Sequence, residues 1–255
     1  VITPAIICFW IVAGCAAWVQ TMTGFGLGLI LMAAAGLFDL MPLPVAASVT
    51  SALVILNTST ILRRNWRHVD RASFGWTMLG AVPGLVVGFL LLGWLAGSAL
   101  TVLKLLLGLV ITGAAIQTAM SRQSLKTRSS SASFSITGFA GAIMGGLFAT
   151  SGPPIIWQYY RQPFALDAIR TSLIAIFFAT QIVRMSLVGA SGHFDKQFLI
   201  TALGAAPIVL TATWFARNYP PNISPAVIRR IALILLALSG IALLLPAAVL
   251  LTTGA

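Results

Sequence analysis

Glutamate is missing altogether, and four aspartates are the only acidic residues in 255. Charged residues of either sign make up 7% of the chain, against roughly a quarter in an ordinary soluble domain. With 59% hydrophobic residues and a mean hydropathy of +1.01, so few charges cannot cover the apolar surface of a water-soluble fold. The same figures exclude a disordered or collagen-like chain. Cysteine is scarce too. Cys8 and Cys15 stand seven positions apart, which along a helix is a rise of about 10 Å, too far for a disulfide within that helix. They read as small packing residues. Two histidines, two cysteines and four scattered aspartates cannot build a buried metal site, so neither a metal nor another cofactor is expected. Short alternating segments, the mark of a transmembrane β-barrel, are also lacking. No basic segment precedes the first apolar stretch, which argues against a cleavable signal peptide. What is present is a series of long apolar runs, and the chain reads as an all-α polytopic membrane protein.

Charges act as punctuation between those runs. Six segments are long enough to cross a bilayer core: 43–62, 73–95, 98–120, 166–190, 197–216 and 228–250. Two further stretches are interrupted. Residues 4–38 break at Thr21-Met22-Thr23-Gly24-Phe25-Gly26, and residues 134–165 break at Thr150-Ser151-Gly152-Pro153-Pro154. Each piece is short for a span, and each break is polar but uncharged. The pattern predicts two pairs of half-helices that meet inside the membrane.

An internal repeat organises these pieces. His68-Val69-Asp70 matches His193-Phe194-Asp195 at an offset of 125, Gly80-Ala81-Val82-Pro83 matches Gly204-Ala205-Ala206-Pro207 at 124, and Thr23-Gly24 matches Ser151-Gly152 at 128. Each half is then one broken, re-entrant hairpin plus three crossings. The boundaries are 1–120 for the first repeat, 121–133 for a flexible serine-rich linker and 134–255 for the second repeat. Three is odd, so the second half inserts upside down. With the Arg63–Arg71 loop in the cytoplasm, twelve of the 15 Lys and Arg fall inside. That positive-inside bias places both termini in the periplasm. It also accounts for the net charge of +11 without nucleic acid, because the cations lie between spans rather than in a patch.

Inverted repeats with interrupted helices are the pattern of secondary transporters. A half-helix N-terminus exposes unpaired N–H groups and the positive end of the helix dipole, so two such ends form an anion site without a full charge. The candidate binding residues at the breaks are Gln20, Thr21, Thr23, Gly24, Gly26, Thr150, Ser151, Gly152, Pro153 and Gln158. Asn57 and Gln181, at an offset of 124, add one amide to the first crossing of each half. The competing reading is structural: a glycine packing seam, an ordinary turn and interhelical hydrogen bonds. Gly80, Gly84 and Gly88 read as packing residues, and Pro83 and Pro207 as kinks in equivalent helices. Arg184 and Lys104 are read as snorkelling to the interface, and Arg170 as setting topology.

Gly189-Ala190-Ser191-Gly192 looks like the serine motif of a rhomboid-type intramembrane protease, but that chemistry needs a His base on another helix. His68 falls on the opposite side and His193 in the same loop, so no catalytic residue is expected. A proton-coupled carrier commonly places Asp, Glu or His within the membrane. Here all four aspartates and both histidines fall at helix ends or in loops, which points to transport driven by the membrane potential rather than by protons.

The breaks carry a resemblance. Gln20-Thr-Met-Thr-Gly-Phe-Gly-Leu-Gly with Pro44-Val-Ala-Ala-Ser-Val-Thr-Ser resembles the first half of the TauE/SafE sulfite exporter family, and Gly141-Ala-Ile-Met-Gly-Gly-Leu-Phe-Ala-Thr-Ser-Gly-Pro-Pro-Ile-Ile its second half. The resemblance covers nearly the whole chain. It implies a multi-pass transporter of the bacterial inner membrane whose partners are the lipid bilayer and a small anionic substrate, a sulfur oxyanion such as sulfite or a short organosulfonate. Export is the expected direction. Uptake of a sulfonate or other organic anion is the alternative, and an intramembrane enzyme or a membrane scaffold is the alternative from another class.

Overall fold

The computed structural model describes residues 3–120, 125–192 and 195–219, together with 227, 234, 237, 240–242 and 244. All regular structure among them is helical. In chain order the helices are α1 (Pro4–Thr23), α2 (Leu27–Leu37), α3 (Leu43–Asn65), α4 (Arg71–Ser98), α5 (Leu100–Met120), α6 (Ser131–Phe148), α7 (Pro153–Tyr160), α8 (Leu166–Ala190) and α9 (Lys196–Asn218), with a 3₁₀ turn at Trp66–His68 between α3 and α4. Helices α3, α4, α5, α8 and α9 occupy five of the six expected crossings. The sixth, 228–250, lies largely outside the described residues, as do 121–124 and His193. One expectation needs correcting. By length and composition α1 and α6 are themselves able to cross a membrane, so only α2 and α7 are short pieces.

The repeated His-x-Asp has a local physical cause. Asp70 is the N-cap of α4, its Oδ1 accepting from the Ser73 N–H at 2.8 Å, and Asp195 is the N-cap of α9, accepting from the Phe198 N–H at 2.7 Å. The two aspartates thus play the same local part, each starting a long helix. Thr3 and Ser130 cap α1 and α6 in the same way. Helices α4 and α9 run continuously through Pro83 and Pro207.

The basic segments gather at one end of the bundle. Arg128 of the linker pairs with Asp70 at 2.9 Å, the Ser129 N–H donates to Gln162 Oε1, and the Leu125 N–H donates to the Arg161 carbonyl. Arg217, at the end of α9, donates to the Thr60 carbonyl. The described part of the linker is therefore pinned, where its composition suggested flexibility. At the other end Lys104 pairs with Asp39 at 2.6 Å. The α6–α7 hairpin leaves and returns at the basic end, where Gln158 meets Ser133 and the Phe134 ring meets Tyr159. The α1–α2 hairpin opens the other way, with Trp10 bonded to the Thr201 carbonyl near the start of α9 and Asp39 following α2.

Packing between helices is closest where α4 meets α6. A Cβ added to Gly80, Gly84 or Gly88 would collide with the carbonyls of Ser135, Phe139 and Ile143, and one added to Gly138 or Gly146 with the carbonyls of Thr77 and Leu85. These glycines let two backbones touch, as small residues do between membrane helices. Helix α1 lies against α9, and α3 lies between α8 and α9.

Candidate functional site

The first break is built by glycine. Helix α1 ends at Gly24 with φ +86°, and Gly26 opens α2 with φ +115°; L side chains rarely take either value. The Gln20 carbonyl receives the Gly24 N–H at 2.7 Å, and Gln20 Oε1 receives the Leu27 N–H at 3.0 Å, so one glutamine spans the turn. The Thr23 hydroxyl lies 2.8 Å from the carbonyls of both Val19 and Phe25. The second break turns on Ala149, which holds φ +53° at the end of α6, before Gly152 starts α7 with an ordinary φ of −75°.

The two breaks meet. A Cβ on Gly28 would stand 2.9 Å from the Ala149 carbonyl and 3.4 Å from Thr150 Cβ. Between them lies a cavity of about 20 Å³ lined by Gln20, Phe25, Gly26, Gly28, Leu29, Val54, Ala149, Thr150, Ser151, Gly152, Ile156, Phe177 and Gln181. A single water needs about 10–15 Å³ by this measure, so the space is closed to anything larger than one water. The Gly28 and Leu29 N–H groups, in the first turn of α2, have no carbonyl a turn earlier within the helix. The opposite helix start is poorer in donors, because Pro153 and Pro154 carry no N–H and only Ile155 contributes one in that turn.

Of the residues singled out in the sequence, Gln20, Gly26, Thr150, Ser151, Gly152 and Gln181 line the cavity. Asn57 stands behind it. Its Oδ1 accepts from Gln20 Nε2 at 3.0 Å, and its Nδ2 donates to the hydroxyls of Thr21 at 3.2 Å and Thr213 at 2.7 Å. Asn57 and Thr21 thus hold the first break through a buried interhelical network. Ser151 donates to Thr180 at 3.4 Å. Gln181 Nε2 donates to the Ala149 carbonyl at 3.0 Å, which fixes the second break, and its Oε1 is buried without a partner among the described residues. Thr23 and Gly24 shape the turn without lining the cavity. Pro153 lies in a separate surface depression with Leu109 and Trp157, and Gln158 points to Ser133 at 2.9 Å.

Other participants carried no sequence signal. Ala149 is not a residue type that announces a left-handed turn, and Thr180 and Thr213 look like any threonine in an apolar helix. Arg184 departs from expectation most. It does not snorkel but is fully buried, its Nε donating to the Gly146 carbonyl at 3.2 Å and its Nη1 to Ser51 Oγ at 2.9 Å. Lys104 does reach the bundle end, onto Asp39. Arg170 is half-buried and lies against Gly24. At the basic end a larger cleft of about 510 Å³, lined by Thr60, Leu210, Thr211, Thr213, Trp214, Arg217 and Asn218, reaches down to the Thr213–Asn57 bond. His68 is exposed at the start of α8, where Asp70 bonds Ser172, whereas Ser191 follows the far end of that helix about 30 Å away. The two cannot form a nucleophile–base pair.

The description "Sulfite exporter TauE/SafE" belongs to a family model that matches residues 9–243. The chain is 38% identical over 234 residues to the probable sulfite/organosulfonate exporter TauE of Cupriavidus necator, covering 92% of this chain and 91% of that protein. No solved structure matches it significantly. A polytopic helical chain matched from Phe9 to the last described helical positions is therefore a membrane transporter, and it belongs to the TauE/SafE sulfite exporter family.

Proposed function

We propose that the protein exports a small sulfur oxyanion, sulfite or a short organosulfonate, across the bacterial inner membrane through the cavity between the two helix breaks. The observation that carries this is the meeting of both breaks at one buried, uncharged, donor-lined space in a member of an exporter family. The relative in Cupriavidus necator supplies the substrate class. The donors are the Gly28 and Leu29 N–H groups of α2, the Thr150 hydroxyl and the second amide hydrogens of Gln20 and Gln181, with the Ser151 hydroxyl available once it turns away from Thr180.

In this reading the two halves are inverted repeats, 1–120 and 134–255, joined by a cytoplasmic linker. The opposite openings of the two hairpins support it. So does the packing: α4 on α6 and α1 on α9 are pairs that exchange when the halves are swapped, and α3 on α8 maps onto itself. The basic end faces the cytoplasm and both termini lie in the periplasm, as the distribution of Lys and Arg favours. The cavity holds one water, and sulfite has four heavy atoms, so the substrate passes only when the halves part on one side at a time. The cleft at the basic end, with Arg217 on its wall, is the cytoplasmic approach.

The test is flux from proteoliposomes against a panel of sulfite, methanesulfonate, taurine, sulfate and acetate. Saturable efflux of sulfite or a sulfonate, reduced at least tenfold by Ser151→Ala or Gly28→Val, is expected. Flux of none of the panel, or equal flux in those variants, would defeat the reading.

A further inference from the structure

The cavity just described contains no charged side chain, yet the fold buries a full positive charge one helical turn away. Arg184 is 0% exposed, and its Nη2 is buried with no hydrogen-bond partner among the described residues. Its two bonds go to a carbonyl and a hydroxyl, neither of which neutralises it. The Phe89 ring lies 5.9 Å from the guanidinium carbon, an additional weak contact. No carboxylate serves as counter-ion. The chain has four aspartates and no glutamate. Asp39 is held by Lys104, Asp70 by Arg128, Asp195 caps α9, and Asp167 stands 17 residues back along α8, about 25 Å by helical rise. A buried charge without a partner is strongly unfavourable, and in a membrane protein it marks a functional position.

Its neighbours show where the missing partner belongs. On α8, Arg184 follows Thr180 by four residues and Gln181 by three, so it shares their face. Gln181 lines the cavity and Thr180 holds Ser151. On α3 its partner Ser51 precedes the cavity-lining Val54 by three residues. On α6 its partner Gly146 adjoins Gly145, where an added Cβ would strike Ser151 Oγ. From three helices, the surroundings of Arg184 lie one turn beyond the cavity, toward the Leu43 and Ala190 ends.

We propose that Arg184 is a second anion station. It accepts the oxyanion through Nη2 on the side of the cavity away from the basic end, and so selects a negatively charged substrate over a neutral isostere. The proposal rests on the anion-export reading and adds to it a charge-selecting residue on the exit side. The uncharged break holds the anion by dipoles, and Arg184 supplies the one buried full charge among the described residues on that side.

The experiment is thermal unfolding of the purified protein in nanodiscs, followed by tryptophan fluorescence in a gluconate buffer, titrated with sulfite, methanesulfonate and the neutral isostere dimethyl sulfone. An anion bound only by the folded state raises the unfolding temperature with concentration. For the wild type, sulfite and methanesulfonate should raise it and dimethyl sulfone should not. Arg184→Gln removes the buried charge, so in gluconate alone it should unfold at or above the wild-type temperature, and its response to anions should vanish. Arg184→Lys should keep the response with a half-saturating concentration at least tenfold higher. A structural staple predicts otherwise: Arg184→Gln below wild type in gluconate, with anion titrations parallel to wild type, and that result overturns the proposal. Should Arg184→Gln not accumulate, an unshifted titration in Arg184→Lys overturns it equally. If wild-type liposomes carry none of the sulfur anions while anion stabilisation still depends on Arg184, the export reading falls and the anion station stands. If export is intact and Arg184→Gln titrates like wild type, the converse holds.

Discussion

Replacing Asn57 by Ala tests whether the first break is held from behind by a hydrogen-bond network or by helix packing. The side chain makes three bonds, buried ones to Gln20 and Thr213 and a partly buried one to Thr21. Hydrogen bonds between membrane helices average about 0.6 kcal/mol and reach about 1.7, so three give roughly 2 kcal/mol with a ceiling near 5. The loss is unequally shared. Thr21 still donates to the Ala17 carbonyl at 2.7 Å and Thr213 to the Val209 carbonyl at 2.7 Å, so both hydroxyls keep their hydrogens satisfied. Gln20 Nε2 is bonded to Asn57, and truncation leaves it buried and orphaned, at a cost of about 1–3 kcal/mol. The expected destabilisation is about 2–3 kcal/mol, most of it through Gln20. Reversible unfolding in mixed detergent micelles, followed by far-ultraviolet circular dichroism, measures it. A double-mutant cycle should show a coupling of about 1 kcal/mol between Asn57→Ala and Gln20→Leu, and less than about 0.6 between Asn57→Ala and Thr213→Val. Sulfite efflux should drop as well, because Gln20 also carries the Leu27 N–H at the cavity. Asn57→Ala within about 0.5 kcal/mol of wild type, with unchanged efflux, would refute the network as the support of the break.

Glycine substitutions should separate by geometry. Gly152→Ala meets only ordinary contacts of 3.4–3.9 Å at a normal φ and should be nearly neutral in stability and flux, whereas Gly28→Ala brings its Cβ 2.9 Å from the Ala149 carbonyl and should reduce flux at least tenfold. Gly84→Leu, at the Phe139 carbonyl, should prevent accumulation of folded protein in the membrane, read by detergent-resistant fluorescence of a fusion. In a background lacking Cys8 and Cys15, an impermeant maleimide added from outside should label Ser191→Cys and not Ser130→Cys, both exposed positions; equal labelling would sink the inverted arrangement. Efflux should follow a potassium–valinomycin potential, at about 2.3 kcal/mol or roughly fiftyfold per monoanion per 100 mV, and ignore a pH gradient. That expectation rests on the aspartates: Asp39, Asp70 and Asp195 cap or flank helices and Asp167 stands in the first turn of α8. Efflux that tracked pH alone would overturn it.

Much of this architecture is written in local chemistry. Apolar run length marked five of the long helices because a bilayer leaves few alternatives, but it left α1 and α6 as half-helices, since their polar breaks drew attention to the interruption rather than to the length before it. Gly24, Gly26 and the Gly-Pro-Pro turn marked the breaks because those residues interrupt helices by their own stereochemistry. The glycine spacing 80–84–88 marked a packing seam, and the structure supplies its partner in α6. What sequence could not show was tertiary: the approach of Gly28 to Ala149, the bond between Asn57 and Thr213 156 positions apart, and the burial of Arg184. Arg184 looked like a residue that could reach the interface, since its position two turns from a helix end permits it. Only the packing of α3 and α6 around it closes that route.

The glycine seam between α4 and α6 also sets the mechanics of the molecule. It joins the first half to the second by main chain on main chain, with no flexible side chain between to absorb sliding. The counterpart contact, α1 on α9, is cushioned: Gly204 faces the indole of Trp10 and Gly14 faces Ile208. Two junctions that a symmetric machine would make alike are therefore of different stiffness. In the alternating access proposed above, the α4–α6 pair would serve as a welded frame, and rocking would concentrate at the α1–α9 joint, where an aromatic ring can reorient without breaking a backbone contact.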